Sequence, residues 1–393
     1  MNEELDLPKV VDKPSLFLLF FTFFRLGASA FGGPAAVANI RTMVVEKKHW
    51  IGKESFREGT ALCQTIPGAT GIQVCAYIGL DIRGMAGAAV CFVGFVLPAF
   101  FLMLALSVLY VSLHAIPAVT NVFNALHALI VSFMAYGAFS FGKSYLKKWQ
   151  DVLIATTAAV LFWFGISPML VVLISAVLGL ALKYRRAEAP KNLEQRRKPF
   201  ALRPLLILIA CAALLVTALF FINKRLFDIS VLMMKIDFFA YGGGFGSVPL
   251  MLHEVVNVHH WMDAQTFMDG IALGQVTPGP IVITSTFVGY ILQGTIGALI
   301  ATASIFFPSF VLVIVISPFF ARLNQLPLFR RAIDGILCSF VGLLLSTAVH
   351  MGFAVSWDIP RILLSGGAFV ALMLGVDTLW VILAGIGISF FIR

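Results

Sequence analysis

Long apolar stretches follow one another from one end of the chain to the other, separated by short polar segments. Residues 15–31, 205–222 and 311–320 are examples in which nearly every position is apolar. A helix needs about 20 predominantly apolar residues to cross the hydrocarbon core of a bilayer. The pattern therefore predicts an all-α, polytopic membrane protein.

Composition excludes the other broad classes of protein. Of the 393 residues, 60% are hydrophobic and 12% are charged, whereas roughly 25% are charged in an average soluble domain. The net charge of +9 comes from Lys and Arg in short loops, which indicates membrane topology and not a nucleic-acid surface. The five cysteines lie singly in apolar stretches, so we expect neither a disulfide framework nor a zinc site.

No motif indicates catalysis. Residues 137–144 match the pattern G-x-x-x-x-G-K-[ST], but they lie at the end of the apolar segment 121–142 and not in a loop between a strand and a helix, so we expect no ATP hydrolysis. His253 and Glu254 come close to the H-E-x-x-H zinc motif, but Asn257 stands where the second histidine is needed. We therefore expect no enzyme, no metal and no cofactor.

The two halves of the chain repeat each other. His49 and Trp50 recur 211 positions later as His260 and Trp261. Six more residues recur at the same offset: Phe56, Ala61, Leu62, Gln64, Pro67 and Gly68 match Phe267, Ala272, Leu273, Gln275, Pro278 and Gly279. After a one-residue deletion the offset becomes 210, as in the match of Pro98 with Pro308. Such self-similarity predicts two copies of one structural unit.

These matches give the domain organisation. We predict a cytoplasmic tail at residues 1–13, an N-terminal repeat at 14–183, a linker at 184–227 and a C-terminal repeat at 228–393. The linker starts as a basic loop and continues as an apolar segment long enough to cross the bilayer once. One extra crossing inverts the second repeat if each repeat crosses an even number of times.

Loop charges support this inversion. Residues 41–57 hold five basic residues, while the matching loop at 252–270 holds no Lys or Arg. The next pair of loops is reversed, because residues 110–120 hold no Lys or Arg and the counterpart has Arg322, Arg330 and Arg331. By the positive-inside rule, the repeats are then related by a twofold axis in the membrane plane. The alternative is two parallel repeats with uneven charges.

Proline and glycine interrupt several apolar segments. Gly32 and Gly33 end the segment at 15–31, and Pro67 with Gly68 divides residues 58–80. The charge bias is satisfied if 58–80 is a re-entrant hairpin that returns to the cytoplasm, and we expect 15–45 to be a broken or half-spanning pair as well. Residues 151–164 and 167–183 are short enough to form a helical hairpin.

Broken helices at membrane depth usually line a site, because their backbone N–H and C=O groups need partners there. Helices that begin after each break direct free N–H groups into it, an arrangement that binds anions. Gln64 and Gln275 add neutral donors. The predicted site therefore consists of residues on four breaks: Gly32, Gly33, Gln64, Pro67, Gly68, Gly246, Ser247, Gln275, Thr277, Pro278 and Gly279.

The same residues carry a family resemblance. Two segments, Phe24-Arg25-Leu26-Gly27 and Phe31-Gly32-Gly33-Pro34, are followed by Glu46, Trp50, Phe56, residues 64–68, Gly79 and Pro98. The second copy has residues 275–280 and Pro308-Ser309-Phe310. This pattern resembles the chromate ion transporter family over nearly the whole chain. The resemblance implies a two-repeat transporter that exports the chromate dianion, coupled to an ion gradient.

The chain departs from the family pattern in two places. Ala69 stands where the family has the second proline of Pro-Gly-Pro, and Asn257 stands where an acid would match Glu46. Glu254 is a candidate to substitute for that acid. The two repeats are therefore not expected to bind in the same way.

Arg25 is the first candidate for direct charge recognition. It lies about ten residues into an apolar segment, where a cation is costly and usually faces a cavity, and its guanidinium can bind two oxygens of an oxyanion. Its alternative role is to satisfy carbonyl groups at the end of a half-helix. At an offset of 214, Phe239 is its match in the second repeat.

Four acids are candidates for coupling: Glu46, Glu254, Asp237 and Asp334. Simpler roles are available for some acids, because Asp237 could pair with Lys235 and Asp377 could cap the helix that follows it. The His-Trp pairs at 49–50 and 260–261 are expected to anchor at the membrane interface. The isolated histidines, His114, His127 and His350, are expected to be packing residues.

The sequence leaves three alternatives to a chromate carrier: a general sulfate or oxyanion carrier, a passive anion channel and an intramembrane chromate reductase. The cysteines do not cluster, which argues against the reductase. The expected partners are chromate or sulfate and the lipid bilayer of the plasma or inner membrane, with a homodimer as a candidate and no nucleic acid.

Overall fold

The computed structural model describes residues 14–30, 33–113, 116–182 and 202–389, and every regular element in these ranges is a helix. The first half contains α1 (Leu16–Ser29), α2 (Gly33–Arg41), α3 (Lys53–Thr65), α4 (Thr70–Leu113), α5 (Pro117–Tyr145), α6 (Trp149–Trp163) and α7 (Pro168–Leu182). A linking helix, α8 (Leu202–Ile222), follows. The predicted tail and nearly all of the basic linker loop lie outside the described residues.

The second half repeats this order. It contains α9 (Lys224–Phe239), α10 (Ser247–Met251), α11 (Ala264–Val276), α12 (Thr284–Ile316), α13 (Phe320–Leu323), α14 (Pro327–Ala354), α15 (Ile359–Met373) and α16 (Thr378–Ser389). Short polar side chains start several helices. Asp263 accepts from the backbone N–H of Thr266 at 2.7 Å, and Asp377 accepts from that of Leu379 at 2.9 Å. The predicted capping role of Asp377 is confirmed.

Helix α4 consists of two arms that reverse direction. Gly84, with φ +64° and ψ −150°, lies in a conformation open only to glycine, and Gly79 packs directly against Gly87. We name the arms α4a (70–82) and α4b (85–113). Helix α12 has the same reversal at Gly294, with φ +60° and ψ −151°, which separates α12a (284–292) from α12b (295–316).

Helices α3 and α4a form an antiparallel hairpin. Gly59 packs on the ring of Tyr77, and the Ser55 hydroxyl donates to the Asp81 carboxylate at 2.8 Å. Residues 66–69 form the tip of this first hairpin. Helices α11 and α12a form the matching second hairpin, with its tip at residues 277–280, so the re-entrant shape predicted for residues 58–80 is present in both repeats.

The repeats also share backbone details that the sequence did not reveal. Each chain segment before a hairpin ends in a π-helix, Thr42–Lys47 in the first repeat and Leu252–Val258 in the second. The following histidines have positive φ, +50° at His49 and +48° at His260. The Trp50 and Trp261 N–H groups then donate to carbonyls of the π-helices, both at 2.8 Å.

Helices α5 and α14 occupy equivalent positions and pack side by side. Gly142 lies beside Val341, and Gly137 lies near Leu344, so the two helices run antiparallel. Helices α6 and α7 pack together and against α14, which confirms the helical hairpin predicted for 151–183. Antiparallel packing of equivalent helices is the arrangement that a twofold axis between them generates.

Within the described ranges, five helical segments are long and apolar enough to cross a membrane: Thr70–Leu113, Val119–Tyr145, Arg203–Ile222, Ile281–Ile316 and Pro327–Ala354. The linking helix α8 exposes large apolar side chains along its length, for example Leu214 and Phe221 at 71% and 80% exposure. Lipid covers such a surface at the lowest cost. The orientation of each repeat across the bilayer and the domain boundaries stay predictions from sequence.

Candidate functional site

Each hairpin tip docks onto the broken helix of the other repeat. The N–H of Gly68, in the first tip, donates to the carbonyl of Ala240, where α9 ends, at 2.8 Å. The N–H of Gly279, in the second tip, donates to the carbonyl of Ala30, where α1 ends, at 2.7 Å. Both breaks and both tips therefore meet at the centre of the protein.

Glycine is required at both tips. Gly68 has φ +114° and Gly279 has φ +113°. Residues other than glycine rarely adopt this backbone conformation. A Cβ on Gly68 would lie 1.9 Å from the Ser309 hydroxyl oxygen, and one on Gly279 would lie 2.9 Å from the Cβ of Ala99. Ser309 and Ala99 are themselves equivalent positions of α12b and α4b.

Helix starts surround this centre. Helix α4a begins at Thr70, directly after the first tip, and a 3-10 helix at Ile281–Ile283 follows the second tip and leads into α12. The glycines between α9 and α10 lie beside both starts, since Gly243 is close to Thr70 and Gly244 packs on Ile281. The first N–H groups of a helix have no partner within it and carry the positive end of its dipole.

The two predicted glutamines differ in environment. The Gln275 side-chain nitrogen is completely buried and has no hydrogen-bond partner among the described residues. Gln64, its equivalent in α3, is exposed. A buried amide donor without a partner is costly, so Gln275 marks a place where a bound acceptor would be stabilised.

Other predicted site residues have local structural roles. The Thr277 hydroxyl donates to the carbonyl of Gly274 at 2.8 Å, and the Ser247 hydroxyl donates to that of Gly244 at 2.7 Å. Gly246 is in contact with the carbonyl of Tyr241. Both tip prolines, Pro67 and Pro278, are buried. Gly32 lies outside the described residues, and Gly33 is the first residue of α2.

Arg25 lies on the exposed side of α1. It shares this side with Phe17 and Phe21, which are 73% and 45% exposed, and none of the described side chains pairs with it. Ala30 and Ala240 make equivalent contacts with the tips, so they are equivalent positions of the two repeats. Lys235 is therefore the equivalent of Arg25, because each lies five residues before that alanine. The expected match with Phe239 is therefore wrong, since the 214 offset does not hold within the helix.

Asp237 is fully buried near the end of α9. Its two carboxylate oxygens accept from the backbone N–H and the hydroxyl of Ser309, at 2.8 and 3.0 Å. The Lys235 ammonium instead donates to Glu254 at 3.0 Å. The predicted pairing of Asp237 with Lys235 is wrong, because the two side chains leave α9 in different directions.

The other three coupling candidates lie away from the tips. Glu46 is about half exposed and lies 3.7 Å from Arg41. Glu254 is buried against the Lys235 ammonium, and His259 approaches it at 3.7 Å. Asp334 lies near the start of α14 and is partly buried. Glu46 and Glu254 thus each have a basic partner, although the partners come from different elements.

A buried polar network that the sequence did not reveal joins the two repeats. Asp269 of α11 accepts from the Tyr110 hydroxyl of α4b at 2.7 Å, and His127 of α5 lies 2.6 Å from its other oxygen. All three residues are less than 7% exposed. His127 is therefore not the isolated packing residue we predicted, whereas His350 packs between Phe162 and Trp163 as expected.

A sequence signal for this network existed. Asp269 is an ionisable residue in a helix whose other inward positions are apolar, and such a residue within the membrane is a functional candidate by default. Its partners could not be read from the sequence, because Tyr110 and His127 lie more than 140 positions away. Among the described residues, no group of three or more His, Cys, Asp or Glu side chains could hold a metal ion.

The two hairpins are packed differently. Helix α11 packs against α5, α14 and α16, whereas the described residues of α3 form an extended contact only with α4. Met268 of α11 is fully buried, but its equivalent Arg57 is exposed. Asp269 is buried, while its equivalent Glu58 is partly exposed. The second hairpin is closed against the first repeat, and the first hairpin is open on one side.

The fold and the central breaks define a class: a multi-pass membrane protein of two structural repeats with interrupted helices, the build common among secondary transporters. The chain belongs to the chromate transporter family, whose model matches residues 17–180 and 227–390.

Similar proteins span almost the whole chain. An uncharacterized transporter of Methanocaldococcus jannaschii, MJ0718, is 41% identical over 97% of this chain and 95% of its own. Chromate transport proteins of Cupriavidus metallidurans and Pseudomonas aeruginosa are 31% and 28% identical, over 88% and 90% of this chain and 85% of their own. No solved structure matches this chain significantly.

Proposed function

We propose that this protein is a secondary transporter that exports chromate from the cytoplasm through an anion site where the four helix breaks meet. The reciprocal docking of Gly68 on Ala240 and of Gly279 on Ala30 carries this proposal. It brings helix starts from both repeats to one place, and helix starts bind anions. Chromate is the proposed anion because curated relatives over most of the chain are named chromate transport proteins.

Helix lengths support a site near the middle of the bilayer. Helices α1 and α3, with 14 and 13 residues, are each about 20 Å long at a rise of about 1.5 Å per residue. That length is more than half of a hydrocarbon core about 30 Å thick. Elements that enter from opposite faces therefore overlap in the central third, where the tips dock.

The proposed ligands are backbone N–H groups of the four breaks, the two glutamine amides and Arg25. Gln275 already has an unpaired, buried donor. Arg25 would supply charge recognition, and its exposed position on α1 requires it to turn toward the breaks when the anion binds. Arg25 would be the charged member of this ligand set, so its substitution tests the proposal directly.

The difference between the hairpins supports alternating access. If the basic loops are cytoplasmic, the open first hairpin faces the cytoplasm, and the closed second hairpin seals the exterior. Exchange of these two arrangements would carry a bound anion outward, as expected for inverted repeats. The network of Tyr110, Asp269 and His127 would then hold the exterior side closed.

The membrane potential alone can drive the proposed export. Moving one charge through 100 mV is worth about 2.3 kcal/mol, so a dianion gains about 4.6 kcal/mol when the cytoplasm is negative. Each 1.4 kcal/mol is a factor of ten, which allows a gradient of about three powers of ten. Among the acids, Asp237 is the coupling candidate at the tips, while Glu46, Glu254 and Asp334 lie elsewhere.

The test is chromate uptake into inverted vesicles from cells that express the protein, with an uncoupler and excess sulfate as separate arms. Uptake that collapses with the uncoupler and resists sulfate supports a gradient-driven chromate exporter in the plasma or inner membrane. Uptake erased by sulfate alone supports a general oxyanion carrier. Flux far above a carrier's rate, without dependence on any coupled ion, supports a passive channel and refutes the carrier. Cross-linking in the same vesicles tests the proposed homodimer.

A further inference from the structure

The hydroxyl of Ser309 connects a buried acid to the first hairpin tip. It donates to Asp237 at 3.0 Å, while the N–H of Ala69 and the side-chain nitrogen of Gln73 donate to it at 3.3 and 3.4 Å. A hydroxyl offers one donor and two acceptor positions, so all of them are used. The N–H of Ala69 belongs to the tip. The Ser309 oxygen accepts from this N–H, as an oxygen of a bound anion would.

Among the described residues, the hydrogen bonds to the Asp237 carboxylate come from the neutral Ser309. Helix α9 packs against α8, α10 and α12, and the charged or titratable groups on these helices are Arg203, Cys211 and Tyr290. None of these three pairs with Asp237 in the part of the chain that the structure describes. On its own helix, Lys235 pairs with Glu254. A carboxylate buried in this way is costly when charged, and a proton removes the charge.

Protonation would reverse the polarity of this connection. With Asp237 ionised, the Ser309 hydrogen is directed at the carboxylate, and the Ser309 oxygen accepts from Ala69. A proton taken from water onto the carboxylate creates an O–H that can donate to the Ser309 oxygen. The Ser309 hydrogen must then turn elsewhere, and the oxygen has less capacity to accept from the tip. The Ser309 hydroxyl and one of the two groups that donated to it, the Ala69 N–H or the Gln73 amide, then become donors available to an anion.

We propose that Asp237 and Ser309 form a proton-binding switch on the anion site, so that chromate binds together with one proton. This inference rests on the proposed function, because it assumes that the tip binds an oxyanion. Asp237 acts through Ser309 and is a positioning residue. A loaded carrier with Asp237 protonated and an empty one with Asp237 ionised would move one net negative charge per chromate.

The first repeat has no second switch. The residues equivalent to Asp237 and Ser309 are Gly27 and Ala99, and Gly27 packs directly on the backbone of Phe95. The protein therefore has one such carboxylate for two tips, which sets an upper limit of one proton per anion from this switch. At the position equivalent to Ser309, the first repeat has a small apolar residue, Ala99.

The test is calorimetric titration of the full-length protein in lipid nanodiscs with chromate. Two buffers of different protonation enthalpy, both alkaline enough to keep free chromate ionised, give the number of protons taken up per anion. For the wild type we expect an uptake that approaches one proton per chromate. The affinity for chromate should fall by up to tenfold for each unit by which the pH rises. Asp237→Asn should abolish both effects. Asp228→Asn, on the same helix, should match the wild type.

Two further variants keep the test decisive if Asp237→Asn does not fold. Ser309→Ala should reduce proton uptake, and Ser309→Thr, which keeps the hydroxyl, should restore it. Wild-type binding without proton uptake, or unchanged uptake in Asp237→Asn or Ser309→Ala, overturns the switch. Folded wild-type protein that does not bind chromate at all refutes the proposed function instead, so the two failures are distinguishable.

Discussion

Tyr110→Phe is expected to loosen the contact that keeps the second hairpin closed. The change removes one hydroxyl and leaves the ring, which packs edge-to-face on Phe123 and Phe287 with centroids 5.3 and 5.1 Å away. The lost interaction is the 2.7 Å hydrogen bond from Tyr110 to Asp269. Asp269 keeps its contact with His127, so the hairpin is weakened and not unfolded.

The magnitude follows from the chemistry of this bond. A hydrogen bond to a charged group contributes about 1.5–3 kcal/mol, and both partners here are buried. Each 1.4 kcal/mol changes an equilibrium tenfold. If the bond exists only when α11 is docked on α4b, Tyr110→Phe should shift the equilibrium toward the undocked form by about 10- to 100-fold.

A cysteine accessibility assay measures this shift. The native cysteines are buried except Cys211, so Cys211→Ser gives a quiet background. Ile271→Cys then places a reporter on α11 at a position that is fully buried in the docked form. We expect the reporter to react about 10–100 times faster in Tyr110→Phe than in the parent.

Tyr136→Phe, a matched change on α5, serves as the control and should leave the rate unchanged. Equal rates in Tyr110→Phe and the parent would show that this hydrogen bond does not hold the hairpin. Equal acceleration by the control would show that any lost tyrosine hydroxyl loosens the bundle.

Three further changes test the site. Gly68→Ala should destabilise the protein by about 2–6 kcal/mol, from backbone strain and overpacking, and should abolish chromate uptake. Thermal unfolding measures the loss of stability. Gly71→Ala, with open space at its Cβ, is the control and should be harmless. Gln275→Leu should raise the Kd for chromate by about 10- to 100-fold through loss of a donor to a charged ligand, and Gln64→Leu should have a smaller effect in the same titration. Arg25→Ala should abolish chromate protection of cells while the protein still reaches the membrane; retained protection removes Arg25 from the site.

The breaks and hairpins could be predicted because their causes are local. Pro67 and Gly68 interrupt a helix wherever they stand, and the same pair recurs as Pro278 and Gly279. The repeat supplied the remaining evidence, since one unusual turn is weak and two in register are strong. Loop charges added that the chain returns to the cytoplasm after residues 58–80 and then crosses outward, and the structure reverses direction at Gly84.

Contacts between the repeats could not be predicted, because they depend on how two units dock. The sequence placed Asp237 beside Lys235, but the direction of each side chain from α9 depends on the helix turn and on what packs there. Ser309 is 72 positions from Asp237, and Asp269 is 142 from His127. A single sequence has no signal that pairs residues over such distances.

Inexact duplication explains why this protein needs both repeats. The reciprocal tip contacts at Ala30 and Ala240 are identical in kind, so the backbone of the site is built twice. The side chains around the site are not duplicated. Gly27 is the equivalent of Asp237 in the first repeat, and the partly exposed Glu58 is the equivalent of the buried Asp269. A fully symmetric site would have equal affinity and equal gates on both faces of the membrane. A ligand or a proton shifts the equilibrium between two conformations only if it interacts differently with each of them. The positions where the repeats differ are therefore where coupling and direction must arise.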